Sequence, residues 1–195
     1  MNDFEELIAR VAAASAAGGR LRPPVSAAEL AEAERALGFP LHPLLAALYW
    51  RVGNGGFGPD EAVLPLSRVP GPAAEAGAVD EYTDRTPPSE AEPWWSWPEG
   101  VLPILDWGCA MFACVDCRSP DGTVLLFEPN AITDEDVSTA WFVDAGSLAA
   151  WLETWLDGRG WYEEEAPDGD SGMAPWTEGP SRLAQDRQTG RPVDR

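Results

Sequence analysis

Three cysteines, one histidine and a scatter of carboxylates are the groups in this chain that could do chemistry. Cys109, Cys114 and Cys117, with His42, make up the ligand count of a Cys3His zinc site. A structural knuckle sets its Cys-x-x-Cys on a tight turn, whereas "CAMFACVDC" reads as a strand. An offset of three along a strand sends Cys114 and Cys117 to opposite faces, so buried free thiols are expected, with no metal and no cofactor. His42 is the one histidine and lysine is absent, which removes the usual general bases and activators of nucleophiles. Beside Pro43 at a helix start, His42 is expected to cap that helix or to lie at the surface. Asp80 and Asp84, one helical turn apart, offer a carboxylate pair. Asp134-Glu135-Asp136 offers a loose cation site, but without the spacing and terminal Glu of an EF-hand. No catalytic constellation emerges.

The last candidate is "GNGGFG", residues 53–58, a literal G-x-G-x-x-G. A dinucleotide fingerprint needs a strand before its glycines and a helix after them. Here "HPLLAALYWRV" reads as a helix ahead of the loop, and the Pro-bounded "PDEAVLPL" follows. The loop is expected to end a helix rather than to cradle a phosphate.

The elements that must position these groups follow from apolar periodicity. Phe4, Leu7, Ile8 and Val11 form the stripe of a first helix running out at Gly18-Gly19. Ser26 and Glu29 form a capping box for a second, which Gly38 and Pro40 close. Leu44, Leu45, Leu48 and Val52 mark a third, with Pro43 in its first turn. "AVLPL" reads as a strand, and residues 70–93 as an acidic Pro/Ala loop with a short helix near 72–81. "VLPILDW", "CAMFACVDC", "TVLLFEP" and "TAWFVDA" read as strands joined by turns at Gly108 and "SPDG". Asp144 is expected to cap a closing helix whose stripe is Leu148, Trp151, Leu152 and Trp155. Helices, then hairpin-linked strands, then a helix predict an α+β fold with a mainly antiparallel sheet. The domain is expected to span 1–162. Residues 163–195, acidic and then Pro/Gly-rich, read as a flexible tail.

The net charge is −20, and all thirteen basic residues are arginine. Residues 60–136 hold sixteen acids against three arginines, net −13, while residues 1–59 are nearly balanced. Such a balance argues against direct nucleic-acid or anionic-membrane binding and favours a basic protein partner. Acids at the N-terminus, no apolar run long enough for a span and few cysteines lead us to expect a cytoplasmic chain. Trp151 and Trp155 lie on the helix stripe and Trp107 in the strand block, so these are expected in the core. Trp94 and Trp95 have no inward pattern and read either as interface anchors or as loop packing.

"PPVSAAELAEAERALGFPLHPLLAALYWRVGNGGF" resembles the opening of the SUKH superfamily, the Smi–Knr regulators and their bacterial relatives. Pro24, Ser26, Glu29, Leu30, Glu34, Leu37, Gly38, Leu41, Pro43, Asn54 and Gly55 fall into step with it, while His42 intrudes before Pro43. Leu102-Pro103-Ile104, Asp106-Trp107-Gly108 and "SLAAWLETWLDG" are similar to the family's later blocks, so that the resemblance covers roughly 20–160. It implies a non-enzymatic α+β binding domain, and in many bacterial members an immunity protein that neutralises a polymorphic toxin. A regulatory or scaffolding interaction protein on the same fold is one alternative. A carboxylate-dependent hydrolase is another. For the first reading, the acids Asp80, Glu81, Asp84, Glu90 and Glu92 would steer a basic, nuclease-like toxin domain. Trp94 and Trp95 would supply the desolvated contact.

Overall fold

A computed structural model describes residues 4–69, 71, 75–86, 92, 94–162 and 173–188 of the chain. Helix α1 (Glu5–Ser15) buries Leu7, Ile8 and Val11 on the expected stripe. Helix α2 (Ala27–Leu37) starts at the capping box: Glu29 N–H donates to Ser26 Oγ at 3.2 Å, and Ser26 N–H donates to the Glu29 carboxylate at 2.7 Å. Gly38 ends it in the left-handed region. Helix α3 (Pro43–Arg51) begins on its proline and buries Leu44, Leu45, Leu48 and Tyr49. Helix α4 (Ala78–Arg85) lies later in the chain than the expected 72–81. Gly77 N–H donates to the Asp80 carboxylate at 2.9 Å, and this fixes the start of the helix.

The strands β1 (Val101–Gly108), β2 (Met111–Asp116), β3 (Val124–Phe127) and β4 (Trp141–Ala145) form an antiparallel meander in chain order. Helix α5 (Leu148–Leu156) follows, then a two-residue strand β5 (Ala174–Pro175) beside β4 and a final helix α6 (Gly179–Gln188). The α+β class and the antiparallel sheet agree with the sequence reading. Register pairs Phe112 with Phe127 and Phe127 with Trp141, so three aromatic side chains stand abreast on one face. Trp97 meets Phe127 and Trp141 at centroid distances of 5.0 and 4.8 Å. Trp176 packs at 6.1 Å from Trp141, and the Arg85 guanidinium lies 4.1 Å over Phe112. This aromatic slab is the centre of the core.

Three expectations need correction. Asp144 does not cap α5: it sits on β4, and Ser147 is the cap, with Ala150 N–H donating to its Oγ at 3.0 Å. Both residues are good caps three positions apart, but the strand claims the first. "AVLPL" makes a single bridge, Val63 to Leu105, with Leu64 N–H donating to Ile104 O at 2.8 Å. Pro65 then has no donor to extend the pairing. Finally, the chain past 162 is not all without packing. Residues 173–188 bury Trp176 and Leu183, and Trp176 N–H donates to Trp141 O at 2.9 Å. Arg182 forks onto Asp116 at 2.8 and 3.1 Å and also donates to Glu99 O at 2.8 Å. Asp116 is only 3% exposed, so this is a buried, bidentate pair.

Removing one partner of such a pair strands the other charge in a poorly solvated site. Arg182→Ala is therefore expected to cost about 3–5 kcal/mol, read from urea unfolding, and an unchanged midpoint would show that α6 contributes nothing. A second prediction concerns the β1–β2 hairpin, whose two-residue turn is Cys109-Ala110, at φ 51° and 63°. Both positions demand the left-handed region that Asn-Gly fills at least cost. Replacing the pair by Asn-Gly is expected to stabilise the fold by about 1 kcal/mol, measured as a rise in Tm.

Candidate functional site

The structure gives the sequence-derived partner residues unequal roles. Asp80 is committed to Gly77 N–H and to Arg68, whose guanidinium lies 3.1 Å away. Glu81 pairs with Arg85 one turn along α4. Asp84 and Glu92 are exposed, and Glu90 lies outside the described residues. Trp94 and Trp95 are half-buried and meet edge to face at 6.1 Å. Trp95 Nε1–H donates to Arg85 O at 2.7 Å, and its ring abuts Phe127 at 5.8 Å. It is therefore a joint between the end of α4 and the aromatic slab.

Sequence reasoning passed over Trp50, the exposed large apolar side chain of α3, at 56% exposure. Its signal was available, since position 50 falls off the buried stripe of Leu44, Leu45, Leu48 and Val52. Pro43, Ala46, Ala47 and Trp50 recur at the opposite helical spacing, with the first and last exposed and the alanines half-buried.

The groups first suspected of chemistry are differently placed. His42 holds the N-cap position of α3, but its side chain makes no capping bond and is not at the surface: it is 3% exposed, and its Nε2–H donates to Pro120 O at 3.2 Å. A Cβ on Gly122 would come within 2.9 Å of its ring, so the imidazole fills the space under the β2–β3 turn. Cys114 is fully buried, and burial holds its thiol well above the ordinary range. Cys117 lies one residue past β2. Burial pushes its thiol up to about 12, partly opposed by the His42 backbone N–H. Both therefore stay as unreactive thiols at neutral pH. Among the described residues no three His, Cys, Asp or Glu side chains converge as a metal site.

The glycine loop ends α3, as expected. Gly55 and Gly56 have φ of 74° and 75°, and a Cβ there would stand 2.7 Å from Leu64 O and 2.2 Å from Arg20 O. Asn54 Oδ1 accepts from Leu66 N–H at 2.7 Å. The loop closes on protein backbone, which leaves its glycines no approach for a pyrophosphate.

Two cavities among the described residues bear on chemistry. The larger, about 510 Å³, is lined by Ala14, Gly18, Arg20, Gly58, Asp60, Glu61 and Trp155. It offers one guanidinium and two carboxylates. The smaller, about 190 Å³, has Asp144 on its wall. Burial raises the Asp144 carboxyl above its ordinary value, and this is only partly offset by Trp151 Nε1–H, which donates to it at 2.9 Å, and by Trp161 nearby.

Surface charge is equally uneven. Nine arginines of the described residues pair with carboxylates, among them Arg10 with Glu153, Arg51 with Glu5 and Arg182 with Asp116. Arg20 reaches the Asp60 carbonyl instead. Most arginines of the described residues are thus paired, several of them at the surface. No helix among the described residues is long and apolar enough to cross a membrane.

A five-strand antiparallel meander with helices before and after it defines an α+β domain. The chain belongs to the SMI1 / KNR4 family (SUKH-1), whose model matches residues 24–154. No curated protein matches it. The family is generally non-enzymatic, and its members are often immunity proteins against polymorphic toxins.

Asp144 generates a pH prediction. Its folded-state proton affinity exceeds that of the unfolded chain, so ionisation as pH rises destabilises the fold. Asp144→Asn removes that penalty and still accepts from Trp151. Its Tm is expected to exceed that of the parent at pH 7, with the gain shrinking to nothing as pH falls to about 3.9. A gain independent of pH would refute the assignment.

Proposed function

We propose that this protein is an immunity-type inhibitor: it binds a basic toxin domain directly and blocks it without chemistry of its own. The observation that carries this reading is the charge balance. With nine arginines of the described residues tied to carboxylates and a net charge of −20, the field of the protein is negative. Such a field attracts a basic surface, and the nucleic-acid-binding face of a nuclease-like toxin is one. Family membership supports it. The buried imidazole and the raised thiols of Cys114 and Cys117 support inhibition by occupancy.

Within this reading Asp84 and Glu92, exposed at and beyond the end of α4, guide the encounter, and the field of Asp80 and Glu81 adds to theirs. The half-buried edges of Trp94 and Trp95 flank them. Trp50 supplies an apolar contact that slows release.

The test is co-expression with a toxic C-terminal domain encoded beside this chain. The expected outcome is protection of growth and a complex whose association slows steeply with salt. Asp84→Arg with Glu92→Arg is expected to lower kon roughly tenfold and to flatten its salt dependence, while Trp50→Ala mainly raises koff. A complex indifferent to salt and to these changes would move the contact to another face. Absence of any complex would overturn the function.

A further inference from the structure

We propose that the smaller cavity is a receptor for an arginine side chain presented by a protein partner. It lies between β4, α5 and the chain on either side of residues 163–172, with a volume of about 190 Å³. Drug-sized pockets occupy about 300–1,000 Å³, so this space suits one side chain. Asp144 and Ala145 come from β4, Trp151 and Thr154 from α5, Trp161 and Tyr162 from the turn beyond it, and Met173 from the approach to β5.

The chemistry of the wall selects a planar cation. Asp144 Oδ2 accepts from Trp151 Nε1–H at 2.9 Å, and Trp161 Nε1 faces the same carboxylate without completing a bond. Among the described residues no basic side chain pairs with it. Arg159, the cation on the cavity wall, donates to Asp157 at 2.8 Å instead. Beside the carboxylate stands a three-ring aromatic cluster. Trp107 stacks on Tyr162 at 4.8 Å and meets Trp161 at 5.2 Å, and Trp161 and Tyr162 are 5.8 Å apart. A guanidinium stacks on aromatic rings and pairs with a carboxylate in one plane, which an ammonium does less well.

A half-buried carboxylate that accepts from an indole but has no cation partner among the described residues destabilises the free protein, and a bound guanidinium relieves that penalty. The site therefore couples partner binding to the stability of the β4–α5 corner. The identity of the donor, a toxin arginine, rests on the proposed immunity function; the cation site itself does not.

The experiment titrates the full chain with N-acetyl-arginine methylamide and with its uncharged citrulline counterpart, followed by tryptophan fluorescence. The expected result is saturable binding of the arginine compound in the millimolar range and none of the citrulline compound. Asp144→Asn, confirmed as folded by its melting, is expected to weaken binding at least about tenfold. Trp161→Ala weakens it severalfold. Among the described residues, Arg159 and Tyr162 are the other ionisable groups lining the cavity, and binding is expected to fade as pH is lowered through the raised titration range of Asp144. Equal binding of both compounds, no saturation, or full binding by Asp144→Asn would overturn the site. Salt-dependent capture of a toxin would then still stand as the function. Binding that depends on Asp144, together with toxin capture indifferent to Asp144→Asn, would keep the cation site and remove the toxin as its donor.

Discussion

Self-repulsion is the constraint on which this structure turns. A chain with a net charge of −20 must gain enough from apolar burial to offset a field that favours expansion. Two devices answer it. The aromatic slab of Phe112, Phe127 and Trp141, extended by Trp97 and Trp176, concentrates large buried areas in one place. The arginines are placed where elements meet: Arg51 ties α3 to α1, Arg10 ties α1 to α5, and Arg182 ties α6 to β2. Each joint spends a cation on tertiary structure, and what faces solvent is what remains. Fold and surface charge thus have a common cause.

The same economy explains why little on this molecule resembles a catalytic centre. A nucleophile or general base needs a neighbour that shifts its proton affinity toward neutrality. Here burial dominates over what Arg85 and the His42 backbone N–H contribute and drives Cys114 and Cys117 away from it, while His42 serves as filling beneath a turn. Asp144 is the carboxyl whose environment is apolar without being matched by a cation.

Elements whose signals are local were legible in the sequence. Ser26, Glu29 and Gly38 define both ends of α2 within a dozen residues, and the strands of the meander alternate with turn signals near at hand. What was not legible depends on partners distant in sequence. Trp176, Leu183 and Arg182 form no periodic stripe, and the value of Arg182 lies in Asp116, far upstream. Asp144 was read as a helix cap because capping chemistry is local, whereas its actual partner, the Trp151 indole, is fixed by the packing of α5 on β4. Of the partner residues, the acids of α4 were visible as a charge run. The use of Asp80 as a cap and of Trp95 as a joint was not. Trp50 lay in plain view, since an aromatic off a helix stripe has nothing to bury it.

The two-residue strand β5 carries a consequence beyond its size. β4 would otherwise end the sheet with a row of unsatisfied N–H and C=O groups, the template on which strands from other molecules assemble. Ala174 and Pro175 occupy that row, and proline, lacking a donor, gives the next strand little to pair with. Arg182, by anchoring α6, keeps the blocking segment in place. The last described stretch of the chain thus acts as a terminator, and its detachment would leave the edge of β4 open to strands from other molecules.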